Sequence, residues 1–290
     1  YPDKRFIIIA DYKKDVMREY LAAFASVKYQ IVDATGSGTC SGVQQALHLI
    51  PENESFMLVW SDLILPDDFN LPSDYTDGKE AVYDYVGLSD YYLKHGYGML
   101  LLDERAHGSS EGKYIGFGCL DRLDAMKWID WVIKKCGTDV QILMHGTSMG
   151  GATVLMASGL ELPKQVKGII SDCAFTSPKH VFTNVLRTMY HMPAFPMMQI
   201  VDIVNKKKAG YGLDECNAAR EVRKAKVPIL FIHGDADTFV PCSMCHEIYE
   251  NCASPKKKLI VEGASHAESY YKDMKAYEAM LDEFIGGTIK

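Results

Sequence analysis

The chain is predicted to be an α/β protein built on a doubly wound, mostly parallel sheet with a helical cap insertion, and three observations carry that expectation. Short apolar runs of the buried-strand type alternate with helical patterns of ten residues or more, as parallel crossovers require. Glycine- and aspartate-containing loops follow the C-terminal ends of those runs, the edge at which open α/β sheets place their chemistry. One run leads through Gly146-Thr147-Ser148-Met149-Gly150 into a helix of small residues. That reads as a strand, a sharp turn and a helix with a serine at its apex.

The elements follow in order. Residues 6–10 read as a strand, 14–24 as a helix, 29–32 as a second strand, 40–49 as a helix and 56–60 as a third strand ending at Ser61-Asp62. From about residue 91 the alternation becomes more regular. A strand is expected at 98–102, then a glycine-rich loop, a helix at 119–135, the strand at 140–144 and the helix at 151–158. Strands at 166–172, 228–233 and 258–261 and a helix at 241–251 complete the pattern. An irregular insertion at 175–213, broken by Pro193 and Pro196, interrupts it. We read residues 1–89 as one α/β segment and 90–290 as a second unit that carries the insertion as a cap.

Composition sets the outer bounds. With 290 residues, 48% of them hydrophobic, the chain can bury a large core, and its net charge of −7 argues against a nucleic-acid partner. Nothing resembles a membrane span or a signal peptide. The chain opens on Tyr1, which is compatible with a missing native N-terminus, and the cytosol is the expected location. The eight cysteines, among them Cys119, Cys136 and Cys173, read as reduced thiols buried as small hydrophobes. Cys242 and Cys245 have metal spacing, but on a helix an i, i+3 pair with no second pair nearby is expected to face the core.

A serine hydroxyl becomes a useful nucleophile only beside a base and near amide donors. Ser148 is the candidate nucleophile, and its companions lie downstream. The strand at 228–233 runs into Gly234-Asp235-Ala236-Asp237, and the strand at 258–261 runs into Glu262-Gly263-Ala264-Ser265-His266. The order Ser148, Asp237, His266, each on a loop after a strand, is that of a doubly wound hydrolase sheet. His266 would take the serine proton, Asp237 would fix the imidazole tautomer, and the Met149 amide would donate to the oxyanion. Asp235 is the near rival of Asp237, which is preferred because Val240-Pro241 opens the next helix just after it.

These residues resemble the alpha/beta-hydrolase superfamily, in particular bacterial serine hydrolases of the esterase, lysophospholipase and S33 aminopeptidase type. The likeness runs over about residues 91–285. It is carried by Asp103-Glu104-Arg105-Ala106-His107-Gly108-Ser109, His145-Gly146-Thr147-Ser148-Met149-Gly150-Gly151, His233-Gly234-Asp235-Ala236-Asp237 and Gly263-Ala264-Ser265-His266. It implies a cap over the serine at 175–213, with Phe182, Met189, Tyr190, Phe195 and Met198 as a flexible apolar lining for substrate. It also implies bracing, non-catalytic roles for Arg105 and His107. His145 and His233 are expected to be satisfied structural histidines. Members normally carry an upstream H-G that supplies a second oxyanion amide; none occurs between Tyr1 and Tyr92. Losing one such donor costs about 2–4 kcal/mol of barrier, and residues 35–42 and 60–63 are the candidates to replace it.

Residues 4–89 resemble instead an internal part of a sugar-phosphate nucleotidyltransferase, through Tyr12-Lys13-Lys14-Asp15, Thr35-Gly36-Ser37-Gly38-Thr39 and Trp60-Ser61-Asp62. That family's triphosphate loop, G-x-G-x-R, is absent. The expected activity is therefore hydrolysis of carboxylic esters, with amides as the alternative, through an acyl-enzyme on Ser148. The substrate would be a small molecule with a hydrophobic acyl group, and no cofactor is required. The competing expectation is a catalytically impaired or nucleotide-binding fusion protein.

Overall fold

The computed structural model describes residues 5–10, 15, 18, 21–22, 28–33, 46–49, 86–107 and 110–289. The expected strand at 56–60, Asp62 and the Gly36–Gly38 turn lie outside the described residues, as do most of the two helices expected at 14–24 and 40–49. The chain divides into two compact units, Tyr1–Leu101 and Leu102–Lys290.

In the first unit, β1 (Arg5–Ala10) and β2 (Lys28–Asp33) pair in parallel, Arg5 opposite Lys28 and Ala10 opposite Asp33. Asp15, Arg18, Leu21 and Ala22 are helical. A 3-10 turn covers Leu47–Leu49, and α1 spans Val86–Lys94.

The second unit is built on four parallel strands in the order β3 (Ile142–Thr147), β4 (Val166–Asp172), β5 (Ile229–Gly234) and β6 (Lys256–Val261). Every residue of β5 is buried, as an apolar run with helices on both faces should be. Between β3 and β4 runs α3 (Met149–Ala157), apolar all round, with Gly151 to Ala157 buried. In front of β3 lies α2 (Asp121–Cys136). The insertion forms α4 (Pro178–Thr188), capped by the Ser177 hydroxyl, and α5 (Met197–Ala209), which ends at Gly210 in the left-handed region. After it come α6 (Ala218–Glu221), α7 (Cys242–Asn251), α8 (Ser269–Lys272) and α9 (Met274–Gly286). Leu155, Met156, Ile169, Val222, Ile229, Phe231 and Ile248 belong to the buried core between these layers.

One expected strand does not form. Residues 97–104 have no regular secondary structure, and Met99 to Leu102 are 37–72% exposed. Their composition suits a strand, but a ladder also needs a hydrogen-bonding neighbour, and none pairs with them among the described residues. Cys136 is likewise exposed rather than buried, because it ends α2 on the solvent side, whereas Cys119 and Cys173 are buried. Among the described residues no helix is long and apolar enough to cross a membrane.

Candidate functional site

The C-terminal edge of the four-stranded sheet gathers the chemistry. β3 ends at Thr147 and α3 begins at Met149, so Ser148 alone makes the turn, at φ 54° and ψ −113°. The positive φ sits on the serine itself, a strained position for a side-chain-bearing residue. Of the flanking glycines, Gly146 serves packing instead. A Cβ on Gly146 would meet the Gly150 carbonyl carbon and oxygen at 2.2 Å, whereas one on Gly150 would meet nothing within 4 Å. The Ser148 amide donates to the Asp172 carbonyl at 2.8 Å, tying the turn to β4.

The Ser148 Oγ lies 2.8 Å from His266 Nε2, and His266 Nδ1 lies 2.7 Å from Asp237 Oδ2. The three side chains therefore form a continuous hydrogen-bonded series across loops that follow β3, β5 and β6. Asp237 is fully buried at its side chain. Burial pushes its carboxyl up, but hydrogen bonds from His233 and His266 and from the Val240 amide outweigh that, and the carboxyl is held well below the usual carboxylate range. Its Oδ1 accepts from the amides of Phe239 at 3.0 Å and Val240 at 2.8 Å. Asp235 is committed elsewhere, accepting from the Gly263 amide at 2.6 Å. The Phe239 ring packs on the His266 imidazole with centroids 4.9 Å apart. Met149 is the first residue of α3, and the first four amides of a helix lack intrahelical acceptors. Its N–H belongs to that set and stands at the positive end of the helix dipole. Residues 35–42 and 60–63 lie outside the described residues.

Two features were invisible in the sequence. The first is a buried network beneath the serine turn. Tyr277 Oη on α9 lies 3.2 Å from Asp172 Oδ2 and 3.3 Å from His145 Nε2, and Ser269 Oγ donates to Asp172 Oδ1 at 3.1 Å. The single tyrosine proton serves the carboxyl, so the imidazole donates to the tyrosine oxygen. Burial raises the Asp172 carboxyl and lowers the His145 imidazole to about 4. The second is His233. Its Nε2–H is shared between the Val240 carbonyl at 2.8 Å and Asp237 Oδ2 at 3.4 Å, while its buried Nδ1 has no partner among the described residues. It is therefore not the fully satisfied histidine expected, because the apolar interior of β5 offers Nδ1 no donor.

The Asp103 segment braces α2 and α3. Arg105 Nε donates to Asp124 Oδ2 at 2.7 Å, and the Thr153 hydroxyl donates to Glu104 Oε1 at 2.6 Å. His107 Nδ1 lies 3.0 Å from the Arg105 carbonyl.

On the cap, the expected lining residues divide. Phe182 packs on the core, edge-on to Phe117 at 4.9 Å, and Met198 is 5% exposed. Met189, Tyr190 and Phe195 are 61–72% exposed, on the outer surface rather than in an enclosed pocket. The cap is fastened to the acid loop by Asn184, whose Nδ2 donates to the carbonyls of Thr238 at 2.9 Å and Phe239 at 3.0 Å. Of the thiol pair, Cys245 is buried, and Cys242 Sγ lies 3.7 Å from His246 Nε2. Among the described residues no three His, Cys, Asp or Glu side chains are grouped to hold a metal ion.

Comparison with known proteins agrees with this fold. Residues 120–288 match the prolyl oligopeptidase family and residues 51–186 the X-Pro dipeptidyl-peptidase (S15) family. The uncharacterized protein YqkD of Bacillus subtilis (strain 168) is 31% identical over 194 residues, covering 67% of this chain and 64% of that protein. A lysophosphatidylserine lipase of Danio rerio is 25% identical over 167 residues, covering 56% of this chain and 41% of that one. The chain thus spans less than two thirds of the length of either. Among solved structures, the Pyrococcus furiosus esterase Pf2001 superposes with a TM-score of 0.57 at 22% identity, over 72% of this chain and 78% of that one. A bromoperoxidase from Bacillus anthracis gives 0.51 at 16% identity, over 70% and 87%. The nucleotidyltransferase likeness of residues 4–89 finds no support, and the S15 match begins inside that segment.

Proposed function

The chain belongs to the prolyl oligopeptidase family of the alpha/beta-hydrolase superfamily, and from that premise we propose that it is a serine hydrolase of carboxylic esters acting through an acyl-enzyme on Ser148. The observation that supports this most is the hydrogen-bonded series Ser148, His266, Asp237, at 2.8 and 2.7 Å. In the proposed reaction Ser148 Oγ attacks the ester carbonyl and passes its proton to His266 Nε2. The imidazolium is stabilised by the Asp237 carboxylate, and the Met149 amide receives the oxyanion. Collapse breaks the bond to the leaving alkoxide, which takes the proton from His266. Water then attacks the acyl carbonyl with His266 again as base, releasing the carboxylic acid and restoring the serine. An amide would use the same steps, with a leaving amine protonated by His266.

Ester is the preferred reading because the lysophosphatidylserine lipase of Danio rerio and the Pyrococcus furiosus esterase that this chain resembles are both named as ester hydrolases. The unit that carries the chemistry is read as residues 90–290, with the cap at 175–213. Labelling by a fluorophosphonate, together with turnover of short-chain p-nitrophenyl esters, tests the proposal. Both should be abolished in Ser148→Ala; a wild-type chain that neither labels nor turns over would overturn it.

A further inference from the structure

Outside the serine site the most distinctive feature is an open cleft of about 600 Å³ between α4 and α5. Neither Ser148, His266 nor Asp237 lines it. Lys179, Thr183 and Arg187 stand on it at intervals of four residues, hence along a single face of α4. The other side of the helix is spoken for: Val181 is 2% exposed and Asn184 holds the acid loop. Facing the basic row are Pro193 and Phe195 in the segment before α5 and Met198 in its first turn.

The charges are the informative part. Lys206 on α5 pairs with Asp202 at 2.8 Å, and Arg220 lies 3.5 Å from Asp214. Lys179 and Arg187 form no ion pair among the described residues, although the chain as a whole carries a net charge of −7. His180 adds an imidazole, whose Nδ1 lies 2.6 Å from the buried Thr176 hydroxyl. Lys179, which also faces the Asp202 carboxylate, Arg187 and the His180 imidazole therefore share a concave surface with an apolar wall 72% exposed at Phe195.

We propose that this cleft binds an anionic amphiphile, its oxyanion headgroup on Lys179, His180 and Arg187 and its apolar chain along Phe195 and Met198. An inorganic anion alone would leave the Phe195 wall in water, and an uncharged chain would leave the cations unmatched. Only a ligand with both parts uses the whole cleft. The bound ligand would touch the helix whose Asn184 fastens the Asp237 loop, so occupancy and the serine site share one structural element.

The test is calorimetric titration of the full chain with decyl phosphonate below its micellar concentration, with inorganic phosphate and decanol as comparison ligands. Decyl phosphonate carries no ester bond, so the result is independent of whether Ser148 turns over. Binding at one site, at least about tenfold tighter than either comparison ligand, is expected. Lys179→Ala and Arg187→Ala should each weaken it by about tenfold or more, the range for a charged hydrogen bond, with Arg187→Lys recovering most of the loss. Phe195→Ala should weaken it several-fold. These side chains sit on the surface, so the variants should fold; circular dichroism checks that they do. Absent binding, equal binding of decanol, or unchanged binding in both cation variants overturns the proposal. So does attachment to phosphatidylserine vesicles without binding of monomeric decyl phosphonate, which would make the face a membrane-docking surface.

Discussion

Gly146→Ala isolates the packing that holds the serine turn. The added Cβ would lie 2.2 Å from the carbonyl carbon and oxygen of Gly150 and 2.7 Å from the Gly151 nitrogen, where ordinary contact begins at 3.4 Å. All three are backbone atoms of the first turn of α3, so no rotamer change relieves the clash. The helix start must retreat by about 1 Å, and overpacking of this kind costs about 1–3 kcal/mol. For a unit of this size each kcal/mol lowers Tm by about 2–4 °C, so a fall of about 2–12 °C is expected in a thermal melt. The same retreat carries Ser148 away from His266, now 2.8 Å from its hydroxyl. A misplacement near 1 Å is worth about a hundredfold in rate, read as the rate of fluorophosphonate labelling. Gly150→Ala is the control: its Cβ enters open space, and alanine in a helix is favoured over glycine by up to about 1 kcal/mol. Its Tm should match or exceed the parent's. If Gly146→Ala melts and labels like the parent, the close approach is not what shapes the turn.

Four further outcomes follow from the site and its surroundings. Asp237→Asn should lower ester turnover by about 10⁴-fold, because an amide can stabilise the wrong tautomer of His266; retention of more than a tenth of the parental kcat would count against Asp237 as the orienting group. The low Asp237 carboxyl also contributes stability that is present above its unfolded value near 3.9 and is lost as pH falls toward the folded value, so Asp237→Asn should flatten the acid limb of urea-melt stability below about pH 4. His145, lowered by burial from 6.5 to about 4, favours the neutral imidazole in the fold. Stability should therefore fall as pH drops from about 6.5 toward 4, by at most about 3 kcal/mol from this group, and His145→Gln should remove that slope. Thr153→Val deletes the hydroxyl that donates to the largely buried Glu104 carboxyl at 2.6 Å, and denaturant melts should show a loss of about 1–3 kcal/mol.

Much of this architecture was legible because it is written in neighbouring residues. The runs that became β3, β4, β5 and β6 begin within two residues of their expected starts. β4 and β5 are buried along nearly their whole length and leave a continuous hydrophobic signature, whereas half-buried β6 opens on Lys256, Lys257 and Lys258 and shows it only at its end. Ser148, Asp237 and His266 could be named because each follows such a run. The strand expected at 98–102 shows the limit of this reasoning: Met99 to Leu102 have the composition, but pairing depends on a neighbour that local sequence does not specify. The cap shows another. Phe182 and Met189 look alike as apolar residues of an insertion, and only packing sends the first to the core and leaves the second 61% exposed.

The sequence by itself determined the class of fold, the order of strand and helix, and which three loops carry an alcohol, a carboxylate and an imidazole. Tertiary structure decided the distances among them. It also set the separate partners of Asp237, the carboxylate already preferred in the sequence, and Asp235, the use of Gly146 for close approach rather than for its φ, and the meeting of Asp172, Tyr277 and His145 beneath the turn. The physical reason is the range of the forces. Periodicity and turn preference act over a few bonds, whereas hydrogen bonds across 29 to 132 residues of chain exist only once the core has drawn the strands side by side.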